Sequence, residues 1–398
     1  MPTDRIGLRI ARWRDLGGMT QQQLADAVGV TREYVSMIEN GKRPITKRSL
    51  LISLAEALGV SINDLTGQPY EPLSQQELLI FGLASGVRTA LDEDHDDSPN
   101  PADPAMLATT AHRVSVARMA CDYATLAELL PGLVADIRRL MATGTDEAAW
   151  QGLSLFVSAT TNAAFAVKSH GQIDLAIRLA EAAWAAASEL DEAAEKGAAA
   201  FALAQCALTA GARRKSLRLA NEAAAALDGV DDDRALTWRG LAHLHAALSA
   251  AALGRTDDAA PHLAEAEATA ARVTTDPWLQ ELTTANVGVW RVGIALENGE
   301  PGRAPEYARL VNISMLRGVH RRASLHIDTG RGLYAAGRTD EAVREFLRAD
   351  ELAPQKVRTR PWVLELVGQM VRDARRGGST ELRELAARCR IDPLAEPA

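Results

Sequence analysis

The side chains with the most evident chemistry lie on one short predicted helix, residues 32–39. If Val35 and Ile38 face the protein core, the opposite face presents a guanidinium, a carboxylate, a hydroxyl and a thioether. These groups belong to Arg32, Glu33, Ser36 and Met37. Because a guanidinium donates hydrogen bonds and a carboxylate accepts them, this outer face can bind a polar partner.

The residues before this helix would hold it in position. Thr20 can cap a first helix that begins at Gln21, and Thr31 can cap the second. Gly29 lies between the two helices, where a tight turn needs a positive φ at little steric cost. Ala25 is small, as a close crossing of the second helix requires. Two short helices joined by a glycine turn, with the outer face of the second left free, predict a helix-turn-helix.

The pattern extends over five predicted helices between residues 5 and 66. It is carried by Gly7, Ile10, Arg14, Thr20, Gln21, Leu24, Ala25, Gly29, Val30, Val35, Ile38, Glu39, Asn40, Gly41 and the run 54–58. At these spacings the segment resembles the lambda-repressor-like (Xre/Cro) family of DNA-binding domains. The resemblance implies a helix-turn-helix domain over residues 1–68 that binds double-stranded DNA.

The same resemblance implies roles for single residues. It places Arg32, Glu33, Ser36 and Met37 at base edges in the major groove. Arg32 can donate to guanine O6 and N7, Glu33 can accept from cytosine N4, and Met37 suits a thymine methyl group. Phosphate anchors of the family correspond to Gln21, Thr31, Asn40, Lys42 and Arg43. The alternative for Arg32 and Glu33 is a solvated ion pair on the helix surface.

Arg14 and Glu39 stand at positions that form an ion pair in that family. We expect this pair to be largely buried. Removal of one partner should then cost about 3–5 kcal/mol, because the other charge would stay buried without compensation.

Composition and charge place limits on the rest of the chain. Aromatic residues are scarce at 4% and strand-like alternation is nearly absent, so an all-α fold is expected. The net charge of −8 is unevenly distributed, since residues 1–68 carry +2 and the remainder −10. The basic part therefore coincides with the expected DNA contact. Three scattered cysteines, no signal peptide and no membrane-spanning run favour a cytoplasmic protein.

A connecting segment is expected over residues 69–105. Residues from Ser74 to about Leu91 predict a helix. The acidic stretch 92–104 contains three prolines and predicts a solvated, disordered loop. A metal site around His95 is the weaker alternative, because its ligands would lack a rigid frame.

A helical repeat is predicted over residues 106–391. A turn glycine is followed five residues later by a small residue in the pairs Gly171/Ala176, Gly211/Ser216, Gly254/Ala259, Gly299/Ala304 and Gly337/Ala342. Each unit would be a helix, a tight turn and a second helix, which resembles the tetratricopeptide repeat with its period of roughly 34 residues. The alternative is an ordinary close-packed helical array. An entry pair broken near Pro131 and a terminal pair, residues 362–374 and 380–389, would complete this α-solenoid.

In a tetratricopeptide-like solenoid, the first helix of each unit lines a concave face. The family offsets place there Thr161, Phe165, Lys168, Phe201, Gln205, Asn286, Arg331 and Tyr334. A resemblance to Gram-positive regulators that join the same two modules implies that a short peptide, as in quorum sensing, or a small metabolite binds in this groove. For each of these residues, plain solenoid surface or packing is the alternative.

Catalytic patterns do not emerge from the sequence. It has no phosphate-binding glycine loop, no HExxH and no nucleophile elbow. His243 and His245 would point apart on one helix, and His262 has no evident partner. We therefore expect no enzyme activity, no cofactor and no metal.

These patterns together predict a homodimeric transcription regulator with a sensing domain. Dimerisation is expected because domains of this class read two half-sites about 34 Å apart. Two alternatives stay open. The repeat could serve only dimerisation or recruitment in a ligand-independent repressor, or it could be an adaptor that regulates another protein.

Overall fold

The computed structural model describes residues 6–70, 74–93, 103–275, 281–374 and 378–391. Within these ranges every regular element is a helix, so the all-α prediction is confirmed. The chain forms two compact units. The first comprises residues 1–70, 288–312 and 321–398, and the second comprises residues 71–287 and 313–320. The expected acidic loop around His95 lies mostly outside the described residues.

Five helices build the N-terminal part of the first unit. They are α1 (Ile6–Leu16), α2 (Gln21–Val28), α3 (Arg32–Glu39), α4 (Arg48–Leu58) and α5 (Ile62–Thr66). Their apolar faces share one buried core that includes Ile10, Leu24, Val35 and Leu54. α4 begins at Arg48, because Lys47 is extended and occupies the N-cap position.

Nine α-helices lie wholly within the described residues of the second unit. The first three are α6 (Gln75–Asp92), α7 (Pro104–Ala120) and α8 (Tyr123–Thr143). The others form the pairs α9 (Asp146–Lys168) and α10 (Ile173–Leu190), α11 (Ala193–Thr209) and α12 (Arg213–Ala226), and α13 (Asp233–Ala252) and α14 (Thr256–Ala270).

The predicted break at Pro131 is wrong. The chain turns instead at Cys121, whose φ of 57° ends α7, and Pro131 lies inside α8. A Cβ atom at Gly86 of α6 would lie 2.9 Å from Cγ of Pro131, so the two helices are in close contact at this point. Burial of residues such as Leu126 and Leu130 on the same helix offsets the free-energy cost of the backbone hydrogen bond that proline cannot make.

Seven further α-helices and one short 3-10 helix (Ile313–Met315) follow in the described chain. The α-helices are α15 (Thr284–Glu297), α16 (Arg303–Leu310), α17 (Val319–Ala335), α18 (Thr339–Leu352), α19 (Pro354–Arg358), α20 (Pro361–Asp373) and α21 (Thr380–Arg388). The terminal pair appears as α20 and α21, while the short α19 was not expected. Asp350 of α18 joins these elements, because its buried carboxylate accepts hydrogen bonds from Arg358 (2.6 Å) and Arg388 (3.0 Å).

The five predicted glycine turns are all confirmed. Each turn glycine has a positive φ, between 74° at Gly254 and 93° at Gly211. Each small residue five positions later is buried, as for Ala304 and Ala342. Glycine adopts this left-handed conformation without a steric penalty, so the turn stays tight. The small partner then lets the second helix approach the first.

Two histidines of the second unit form a pair that the sequence did not reveal. The Nδ1 atoms of His243 on α13 and His262 on α14 are 3.0 Å apart, so His262 does have a partner. Burial, together with the charge of His262, lowers the pKa of His243 to about 4. Burial also lowers the pKa of His262, against the opposing effect of Asp258 and Glu265.

This pair predicts a loss of stability in acid. Because unfolded histidine titrates near pH 6.5, the unfolded chain binds more protons than the folded chain below that pH. The free energy of unfolding should therefore fall as the pH decreases from about 6.5 toward about 4, with about one proton taken up by His243 on unfolding at pH 5. Urea unfolding followed by circular dichroism at pH 5 and pH 7.5 measures this change. The His243→Gln variant should show a smaller pH dependence than the control His112→Gln, which alters an exposed histidine; equal pH dependence would contradict the assignment.

Candidate nucleic-acid interface

An ion pair between Arg14 and Glu39 fixes the C-terminal end of α3. Nε of Arg14 donates to Oε1 of Glu39 at 2.6 Å, and Nη2 donates to Oε2 at 3.0 Å. Only 12% of the Arg14 side chain and 5% of the Glu39 side chain are exposed. The hydrogen bond to Glu39 is the main cause of a raised pKa at Arg14. The buried ion pair expected from the sequence is therefore present, and the structure shows that it is bidentate.

Further contacts extend this pair to the neighbouring helices. The other guanidinium nitrogen of Arg14 donates to the carbonyl of Met19 at 2.9 Å, which anchors the turn before α2. The side-chain amide of Gln21 donates to Oε2 of Glu39 at 2.8 Å. On α1, a Cβ atom at Gly7 would lie 2.1 Å from the carbonyl oxygen of Ile38, so only glycine permits this crossing. Together these contacts hold α3 rigidly against α1 and α2.

Capping geometry sets the beginning of each helix of the motif. The hydroxyl of Thr20 accepts from the amide of Gln23 at 3.1 Å, and the Gln23 side chain accepts from the Thr20 amide at 2.8 Å. Gly29 ends α2 with a φ of 72°. Thr31 then caps α3 by accepting from the amide of Tyr34 at 3.2 Å. This is the helix-turn-helix that residues 20–41 predict.

The outer face of α3 is accessible. Arg32 and Glu33 are exposed, and Ser36 and Met37 one turn later are partly exposed. The two charged side chains lie in the first turn, and their length allows them to reach base edges when such a helix enters a major groove. The face thus combines a bidentate donor, an acceptor and apolar surface.

The predicted phosphate anchors divide into two groups. Lys42 and Arg43 are exposed in the loop after α3, and the Arg43 guanidinium lies 5.2 Å from the centre of the Tyr34 ring. Asn40 is also exposed, but its amide donates to the carbonyl of Ser36 at 2.7 Å. Gln21 and Thr31 have internal partners as well, namely Glu39 and the Tyr34 amide described above.

Within the first unit, the DNA-binding helices contact the C-terminal helices. Oε1 and Oε2 of Glu297, at the end of α15, accept from the amides of Arg48 (3.1 Å) and Ser49 (3.2 Å) at the start of α4. Nη2 of Arg331 donates to the carbonyl of Thr46 at 2.6 Å. Sequence reasoning missed Glu297. The available signal was Lys47, which cannot act as a helix cap through an acceptor side chain.

Four of the predicted groove residues lie together in the second unit. The rings of Phe165 and Phe201 are 5.9 Å apart, and Nζ of Lys168 lies 5.5 Å from the centre of the Phe165 ring. Lys168 also donates a hydrogen bond to Oε1 of Gln205. Phe165, Lys168 and Gln205 are partly exposed, whereas Phe201 is buried.

The other groove candidates are placed differently. Thr161 and Asn286 are fully buried, and the amide of Asn286 donates to the carbonyl of Glu281 at 2.6 Å. Arg331 contacts Thr46 in the first unit, as described above. Tyr334 lies in the same unit and donates to Asp373 at 3.3 Å, and burial raises the pKa of its phenol.

Residues 10–65 match the family model described as helix-turn-helix. With the geometry of α1 to α5, this match defines the N-terminal part of the chain as a helix-turn-helix DNA-binding domain. The chain thus joins such a domain to a larger helical region. No curated protein sequence matches the chain.

Three solved structures are similar in part. Bacillus thuringiensis PlcR in complex with the peptide PapR7 and DNA is 15% identical, with 67% of this chain and 94% of that chain covered and a TM-score of 0.32. A Rap protein complexed with competence and sporulation factor is 13% identical, with 89% and 99% covered and a TM-score of 0.42. The apo form of the competence regulator ComR from Streptococcus vestibularis is 15% identical, with 88% and 91% covered and a TM-score of 0.21.

Two further observations concern the described residues only. None of their helices is both long and apolar enough to cross a membrane. Cys206 and Cys389 form no disulfide, and burial raises the pKa of Cys206 to about 11.

The ion pair predicts a large stability loss when one partner is removed. Glu39→Gln should lower the free energy of unfolding by about 3–5 kcal/mol, because the buried Arg14 would keep only the exposed carboxylate of Asp15 as a counter-charge. Thermal and urea unfolding measure the loss. The double variant Arg14→Met/Glu39→Met is the matched control and should recover most of it, since no charge is then left buried. Equal losses in the single and double variants would contradict the pair's role.

Proposed function

We propose that this protein is a homodimeric transcription regulator that binds an operator through α3 and senses a short peptide or small metabolite through its helical repeat. The observation that carries the proposal is the accessible outer face of α3, held in place by the buried Arg14–Glu39 pair. A helix fixed at both ends and exposed on one side can enter the major groove without prior rearrangement.

The exposure of the side chains supports separate roles in base reading and in phosphate binding. Arg32, Glu33, Ser36 and Met37 read base edges, while the loop after α3 holds the backbone through Lys42 and Arg43. Gln21, Thr31 and Asn40 contribute through their positions at helix ends, where amide groups can also contact phosphates. Arg14 and Glu39 position α3 and contact no base.

Two copies of the chain are required for tight and specific binding. A single domain of this size contacts one half-site, whereas a symmetric dimer contacts two half-sites about 34 Å apart. The proposed operator is therefore an inverted repeat with that spacing.

The sensing role is supported by the group around Phe165. This half-buried ring lies beside Lys168, which contacts Gln205 on the next helix pair. A combination of partly exposed aromatic, cationic and amide groups suits a ligand with both apolar side chains and polar backbone groups, as a peptide has. Phe201 remains a candidate by repeat position, whereas Thr161 and Asn286 are fully buried and Arg331 and Tyr334 belong to the first unit.

Fluorescence anisotropy on DNA from the gene's own upstream region tests the proposal. With random DNA as competitor at near-physiological salt, a fragment with two half-sites should bind tightly and resist competition. A peptide-rich extract of the host should shift this affinity. Binding no better than to random DNA, with and without extract, would contradict the proposed function for that operator and favour the adaptor alternative.

Two substitutions separate base reading from phosphate binding. Arg32→Ala should relax specificity at one base position, with about 1–3 kcal/mol of discrimination lost. Lys42→Ala should weaken binding to all sequences and reduce the salt slope by about one unit. Titrations on specific and random DNA at several salt concentrations measure both effects. Equal losses on both DNAs for both variants would contradict the assignment of the recognition face.

A further inference from the structure

The loop between α3 and α4 carries the two exposed cations that the proposed function assigns to DNA phosphates. Its beginning is fixed to α3, because the amides of Lys42 (2.7 Å) and Arg43 (3.1 Å) both donate to the carbonyl of Met37. Pro44 and Ile45 in the middle of the loop are buried. The backbone of the loop is therefore held against the protein, while the side chains of Lys42 and Arg43 are exposed.

The end of the loop, where α4 begins, is fixed by a residue of α15. α2, α3 and α5 each begin with a hydroxyl side chain that accepts from a first-turn amide, whereas Lys47 at the N-cap of α4 makes no such hydrogen bond. The first amides of a helix carry a partial positive charge and require acceptors. The two carboxylate oxygens of Glu297 accept from the amides of Arg48 and Ser49. A carboxylate from another part of the chain therefore caps α4.

Arg331 of α17 fixes the residue before the N-cap. It donates to the carbonyl of Thr46 at 2.6 Å and to Asp328 at 2.9 Å. Its guanidinium also lies 4.6 Å from the centre of the Trp362 ring on α20 and 3.8 Å from Glu297. Because these partners surround the guanidinium, it has little freedom to reorient. The backbone at Thr46 is thereby bound to a rigid part of the C-terminal helices.

The same helices approach the loop at two further points. Nζ of Lys47 lies against the turn after α15, since a Cβ atom at Gly299 would be 2.5 Å from it. On α17, burial raises the pKa of Tyr334, and the charge of Arg43 opposes this effect. An electrostatic effect of this kind requires that the two groups lie near each other. α15 and α17 thus flank the loop at Arg43 as well as at its end.

From these contacts we infer that Glu297 and Arg331 are positioning residues for DNA binding, which fix the far end of the phosphate-binding loop. The inference rests on the proposed function. Both residues act through the loop backbone, and Lys42 and Arg43 make the contacts to phosphates. A loop that is fixed at both ends loses less conformational freedom when it binds DNA, so its affinity is higher. Because phosphates are the same in every sequence, this gain applies equally to operator and random DNA.

The first test removes the charge of Glu297 in the full chain. In anisotropy titrations, Glu297→Gln should weaken binding to operator and random DNA alike, about three- to tenfold, the change expected from weakening one charged cap. It should also reduce the salt slope by up to about one unit, because the loop contacts phosphates less often. The matched control Glu300→Gln alters an exposed glutamate that pairs with Arg303, and should leave both quantities unchanged. Unchanged affinity of Glu297→Gln, or a loss confined to the operator, would overturn the inference.

A second substitution gives α4 a cap of its own and separates positioning from a general structural effect. Lys47→Ser places a hydroxyl at the N-cap, where it can accept from the first-turn amides. In this background Glu297→Gln should weaken DNA binding less than about twofold, since the start of α4 no longer depends on Glu297. Comparison of Lys47→Ser with Lys47→Ser/Glu297→Gln cancels the loss of the lysine charge. A loss of affinity equal to that in the wild-type background would contradict the positioning role.

Hydrogen exchange measures the same effect without DNA. The amides of Arg48 and Ser49 should exchange about three- to tenfold faster in Glu297→Gln than in the wild type or in Glu300→Gln, because their acceptor is weakened. Equal exchange rates would overturn the positioning role. The proposed function fails if the wild type itself does not bind the operator. The inference fails if the wild type binds DNA and Glu297→Gln matches it, so the two failures are distinguishable.

Discussion

The buried ion pair between Arg14 and Glu39 is the interaction on which the DNA-binding part of the molecule depends. It joins the end of α1 to the end of α3, and through Met19 and Gln21 it also fixes α2. A buried pair of this kind adds little net stability, since desolvation of the two charges offsets much of their attraction. Its contribution is geometric, because two parallel hydrogen bonds leave α3 only one orientation relative to α1. In that orientation the outer face of α3 is accessible to solvent.

Local sequence signals predicted most of the fold. The turn glycines from Gly171 to Gly337 were identifiable because the positive φ of a tight turn and the small residue at the next helix crossing are both encoded within a few positions. The caps Thr20 and Thr31 were recognisable for the same reason. In each case the residue and the group it serves are neighbours in the chain.

Interactions between distant residues could not be predicted in this way. Lys47 indicates that α4 lacks a cap from its own N-cap residue, but nothing in the sequence identifies Glu297, 249 residues away, as the acceptor. The pairing of His243 with His262 likewise depends on the register between α13 and α14. Proline usually lies at helix ends, but Pro131 lies inside α8, because burial of the long apolar face of this helix outweighs that preference. For the recognition surface, the sequence identified the residue types, while the structure showed that Gln21 is engaged by Glu39.

The lack of a local cap at the start of α4 also bears on how separable the N-terminal domain is from the rest of the chain. Residues 6–66 possess their own apolar core, which suggests a module that evolution could exchange freely between scaffolds. Yet one of its helices is completed by a carboxylate that belongs to another part of the protein. Grafting of this domain onto a different scaffold would therefore transfer an incomplete helix. A compatible scaffold must present an anion at the same place. The N-terminal domain and the helices that carry Glu297 are therefore expected to evolve together.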